Sequence, residues 1–112
     1  MKPRVLVFHP AARADLGRAW LLVAQNDGEE RAHALFGRLE AFCMRLGEFA
    51  DIGTRHDDRY PGLRSVGVPG LRSSTVLFLV RPDVVTVIRI GYLGQNIWQD
   101  LPRPANDHGK SR

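Results

Sequence analysis

The sequence predicts an α+β domain: an N-terminal strand, an antiparallel helix hairpin, then a three-stranded antiparallel meander. Three observations predict it. Two stretches carry apolar residues at three- and four-residue spacing and are separated by Asn26-Asp27-Gly28, a stop signal that joins helices. Two apolar runs, 75–81 and 84–91, flank Pro82-Asp83 and read as a hairpin. A short run, Val5-Leu6-Val7-Phe8, precedes both helices.

Taken in order, residues 4–8 form the first strand, and His9-Pro10 ends it. Pro10 also suits the first turn of a helix, where its missing N–H costs nothing. The first helix is expected over 11–26, with Leu16, Ala19, Trp20 and Val23 on one stripe and Asp15 complementing the dipole near its start. The second is expected over 29–49, with Leu35, Leu39, Phe42, Leu46 and Phe49 as its apolar stripe and Glu29 and Glu30 at its N-terminal end. Strands follow at 63–68, 75–81 and 84–91. Residues 1–101 are expected to form the single domain, and the polar segment 102–112 a mobile tail.

Strict alternation makes both faces of this sheet apolar. Val76, Phe78 and Val80 oppose Leu77 and Leu79, and Val84, Ile88 and Ile90 oppose Val85 and Val87. The helix hairpin covers one face. The other needs the C-terminal segment around Ile97-Trp98, a second copy, or another protein.

Composition narrows the function. A chain of 112 residues with 44% hydrophobic and 25% charged residues is ordinary for one globular domain. No apolar run approaches the ~18 residues of a membrane span. With a single cysteine, Cys43, no internal disulfide forms, and the expected location is the cytoplasm. His9, His33 and Cys43 lack metal-ligand spacing, so no metal or cofactor is expected. The net charge is +4, and the basic excess lies late: residues 55–89 hold six arginines against Asp57, Asp58 and Asp83. Arginine suits planar, bidentate pairing with carboxylate or phosphate. An excess of only three charges on an apolar sheet fits a protein partner better than nucleic acid.

The order of elements and four segments resemble the RelE/ParE toxin family of type II toxin–antitoxin systems. The segments are Ala12-Arg13-Ala14-Asp15-Leu16 followed by Trp20, residues 46–53 with Phe49 and Ile52, the charged loop 55–64 ending in Gly-Leu-Arg, and Val87-Ile88-Arg89-Ile90. Helix length and the Gly-Leu-Arg and Ile-Arg-Ile segments are more similar to the ParE branch. That resemblance implies a toxin that inhibits DNA gyrase by binding. It also implies a ParD-like antitoxin that neutralises the toxin by laying an extended or helical segment across it, in a hetero-oligomer. The candidate contacts for antitoxin or target are Arg64, Arg72, Arg81, Arg89, Tyr92 and Trp98. The RelE branch implies ribosome-dependent mRNA cleavage instead, which needs an acid or base and clustered cations at the scissile phosphate. Tyr92 or His56 would then be the base, with Arg64 and Arg89 on the phosphate. A non-toxic binding module on the same fold is the third reading.

Overall fold

The computed structural model describes residues 3–71, 73–99 and 101–102. The chain forms β1 (Val5–Phe8), α1 (Pro10–Asp27), α2 (Glu29–Met44), a 3-10 turn (Arg45–Gly47), β2 (Thr54–Arg55), β3 (Leu63–Gly67), β4 (Thr75–Val80) and β5 (Val84–Gly91). The sheet order is β1-β5-β4-β3-β2, with β1 parallel to β5 and the other pairs antiparallel. The predicted strand, helix hairpin and meander are all present. β2 is additional: two exposed polar residues carry no apolar alternation, so only pairing with Arg64 and Ser65 defines them as a strand.

α1 starts where predicted. Pro10 occupies its first turn, and His9 Nδ1 accepts the Ala11 N–H at 3.0 Å. Gly28 ends α1, donating its N–H to Ala24 O, and opens α2, accepting from Ala32 N–H. α2 stops at Met44 rather than at 49. The reason is Gly47, whose carbonyl accepts the Arg4 N–H at 2.9 Å and whose missing side chain lets the turn lie flat on the Arg4 backbone. The chain must turn there to pass under β1. Leu39 and Leu46 of the predicted stripe are therefore buried and Leu35 and Phe42 half-buried, whereas Phe49 is 51% exposed.

Two cores result. The larger lies between helices and sheet, around Ala12, Leu39, Leu46, Phe78, Val87 and Ile90. The smaller lies on the opposite face and joins Leu63, Leu77, Leu79 and Ile88 to Ile97, with Tyr60, Trp98 and Leu101 packed on it. Of the three covers considered for that face, the C-terminal segment supplies it. It does not reach β1, an edge strand whose Val5 and Val7 remain exposed.

Strict alternation fails in β5. Val85 and Val87 face Val80 and Phe78, but Arg89 faces Leu77, so Ile88 is an extra residue in the ladder. This bulge puts Val85, Val87 and Ile90 in the helix-side core and Ile88 alone in the other.

Cys43 is buried in the larger core. Burial first, and Glu40 second, push its thiol up to about 12. A thiol this far above its usual range is neutral in the folded state at pH 8 and should not react with a thiol-disulfide reagent until the domain unfolds. Comparing reaction rates with and without denaturant checks this; equal rates would contradict it.

Candidate functional site

The candidate residues divide between the two faces. Arg64 is opposite Phe78 in the ladder and therefore on the helix side. Its Nη1 donates to the carbonyls of Asp51 at 3.0 Å and Ile52 at 3.3 Å, tying β3 to the segment leaving the helices. Tyr92 packs on Phe36 of α2, ring centroids 5.5 Å apart, and its N–H donates to Gln95 Oε1.

His56 is on the other side. Its Nε2 lies 2.7 Å from Ser65 Oγ, and Trp98 meets its ring edge-on at 4.7 Å. Trp98 is half-buried, under the Arg59 guanidinium at 5.2 Å, and Arg59 Nη2 donates to the Trp98 carbonyl. Beside it is a pocket of about 230 Å³ lined by Arg59, Tyr60, Leu63, Ile88, Trp98 and the Leu101-Pro102 segment. Arg81 lies nearby, over the Tyr60 ring at 5.7 Å, and donates to Pro61 O at 2.8 Å. It stands just past β4, fastened to the β2–β3 loop. Asp57 folds that loop: it accepts from Gly62 N–H and Arg55, which hold its carboxyl below the usual range. Arg72 lies outside the described residues, as does the predicted tail beyond Pro102.

Arg89 has an internal partner. Its Nε and Nη2 donate to the two Asp15 oxygens at 2.8 and 3.0 Å, and Ile90 N–H donates to Asp15 Oδ2 at 2.8 Å. The β1–β5 ladder ends where His9 N–H meets Val87 O, one rung before Ile90. Asp15 takes the place of the next strand residue. It is 4% exposed and not in the first helical turn, so it completes the sheet edge rather than complementing the dipole. The signal available in the sequence was its position: an acid among Ala12, Leu16 and Ala19 on the inward stripe.

The helix-side surface also holds an apolar groove of about 270 Å³ lined by Phe42, Arg45, Leu46, Phe49 and Ile52. Phe49 and Ile52 are exposed, and the Arg45 guanidinium sits 5.5 Å over the Phe49 ring. Among the described residues no group of His, Cys, Asp and Glu is placed to hold a metal, and no helix is long and apolar enough to cross a membrane.

Comparison with known proteins places this geometry. Residues 6–97 match the family model described as the ParE toxin of the type II toxin–antitoxin system, parDE. The chain belongs to the ParE toxin family. Toxin ParE3 of Caulobacter vibrioides is 32% identical over 87 residues, covering 78% of this chain and 83% of that protein. A chain of the solved chromosomal ParDE TA system from P. aeruginosa shares the fold, with a TM-score of 0.68 at 20% identity, over 80% of this chain and 95% of that one. The ParE branch of the resemblance is thus the one the chain occupies, and its fold is that of a ParE toxin.

Proposed function

We propose that this ParE-family toxin acts in the cytoplasm by occupying DNA gyrase, and that a cognate ParD-like antitoxin neutralises it in a hetero-oligomer. The observation that supports a binding mechanism is that the residues named for RNA cleavage do not form one cluster: His56 is on the opposite sheet face from Arg64, and Arg89 is committed to Asp15. A general base must reach within hydrogen-bond distance of its proton while cations meet the phosphate, and side chains on opposite faces of one sheet do not converge that way.

The purified toxin is expected to inhibit gyrase in a supercoiling assay and to lose that effect when mixed with the antitoxin. An unaffected supercoiling rate, together with ribosome-dependent mRNA cleavage that Tyr92→Phe abolishes, would overturn this in favour of the RelE-type activity.

A further inference from the structure

The pocket of about 230 Å³ on the sheet face away from the helices has no part in the gyrase reading. Its floor is apolar: Leu63 of β3 and Ile88 of β5, both buried. One wall is the β2–β3 loop, with Arg59 and Tyr60, and the other is the C-terminal cover, with Trp98 and Leu101. The polar groups available there are donors. Arg59 is exposed and uses a single N–H, from Nη2 to the Trp98 carbonyl, so its Nε and Nη1 have no partner among the described residues. The Trp98 indole N–H has no acceptor among them either, and it is not sealed from solvent. No lining residue is acidic. In the same loop Asp57 is committed to Arg55 and the Gly62 N–H, and Asp58 makes no ion pair among the described residues. Arg81 adds a second positive charge beside Tyr60, 5.7 Å from the ring.

We propose that this pocket binds a small aromatic carboxylate, with its ring against Tyr60 and Trp98 and its carboxylate on Arg59. Size, charge and shape each restrict the ligand. The volume lies below the ~300–1,000 Å³ of sites that bury drug-sized molecules, so it holds a one- or two-ring acid and is too small for a base, a sugar and a phosphate together. Donors without acceptors select an anion over a cation or a neutral amide. Two aromatic rings over two buried aliphatic side chains favour a flat apolar body. The supply of free cations selects carboxylate over phosphate. A guanidinium pairs with either through a bidentate fork. A phosphate monoester carries a charge of about −1.5 to −2 and needs a second cation at its oxygens. Arg81 is held away from that role by its Nη1 bonds to Pro61 O at 2.8 Å and Val80 O at 3.2 Å. A carboxylate is a monoanion that Arg59 alone completes. Such a ligand touches both the loop and the C-terminal cover, so binding fastens the cover to the sheet and raises stability by linkage.

The test uses the full chain, isotope-labelled for NMR, and three probes that share one ring system: naphthoate, naphthamide and naphthyl phosphate. The Trp98 indole N–H resonance, identified as the one that remains in Trp20→Phe, is expected to shift saturably with naphthoate, and that of Trp20 is not. Naphthamide keeps the shape without the charge and should bind at least about tenfold more weakly; naphthyl phosphate should bind no more tightly than naphthoate. Arg59→Met keeps an apolar stem beside Trp98. It should reduce naphthoate to the affinity of naphthamide and leave naphthamide nearly unchanged, which separates a lost charge from a loosened pocket. Leu101→Trp fills the pocket and should abolish binding of all three. Saturating naphthoate should raise the thermal midpoint of the wild-type chain and not that of Leu101→Trp. Circular dichroism checks the fold of both variants. No saturable shift at Trp98, equal affinity for the amide, tighter binding of the phosphate, or indifference to both substitutions would overturn the assignment. Gyrase inhibition is scored separately, so the pocket and the toxin reading stand or fall independently.

Discussion

Asp15→Ala is expected to lower the unfolding free energy by ~3–5 kcal/mol, the range for breaking a buried ion pair from one side. Asp15 is a single carboxylate serving the Arg89 side chain and the Ile90 N–H. Removing it leaves a guanidinium only 18% exposed without its partner, and a buried N–H without an acceptor. Arg18 also reaches Asp15, but at 62% exposure its contribution is small. Native stability for a domain of this size is ~5–15 kcal/mol, so the loss is a large share of the total. Asp15→Asn keeps an acceptor for Ile90 and should cost less. Urea unfolding of Asp15→Ala, Arg89→Met and the double variant separates the terms: the double variant should lose clearly less than the sum of the two single losses, because the second change removes the orphaned charge left by the first. An Asp15→Ala loss below ~1 kcal/mol would show that the pair behaves as a surface contact instead.

Ile97→Ala is expected to cost ~2–4 kcal/mol, the usual range for truncating a fully buried aliphatic side chain. Ile97 is 2% exposed and seated on Gly91, where a Cβ would come within 3.3 Å of its methyl carbons. It joins the C-terminal segment to Leu63, Leu77, Leu79 and Ile88. Without it the cover rests on Trp98 and Leu101, so the fluorescence of Trp98, read in a Trp20→Phe background, should move toward that of solvated indole before global unfolding. Gly91→Ala tests the same contact from the other side and should shift the fluorescence in the same direction. If Ile97→Ala changed neither stability nor Trp98 emission, the second face would be covered by something other than this segment.

The two expectations concern features that the sequence revealed to different extents. Helix spacing in α1, the Asn26-Asp27-Gly28 stop and the Pro82-Asp83 turn are local signals, and each element they mark is present close to its predicted place. Apolar alternation in β4 showed that both sheet faces need cover, and both are covered. The register of β5 was not legible, because a bulge is defined by the partner strand and Ile88 looks like any other residue of its run. The end of α2 was hidden for a similar reason: Phe49 continues the apolar spacing, and only the approach of Gly47 to Arg4 turns the chain away.

The candidate site shows the same division. Residue types picked out Arg64, Arg81, Arg89, Tyr92, His56 and Trp98. Which of them share a face depends on strand parity, on the bulge and on the path of the last ten described residues. Asp15 and Arg89 are 74 positions apart, a separation over which no periodicity carries information.

By itself the sequence determined the element types, their order, the family resemblance and the need for a cover on each side of the sheet. These follow from side-chain chemistry repeated over a few residues, which each helix or strand must satisfy on its own. Only the tertiary structure decided that the chain's own C-terminal segment is the second cover, that Arg89 belongs to Asp15, and that His56 is cut off from Arg64 and Tyr92. Those outcomes depend on contacts between distant segments, where the alternatives differ in geometry and the residue types are compatible with each.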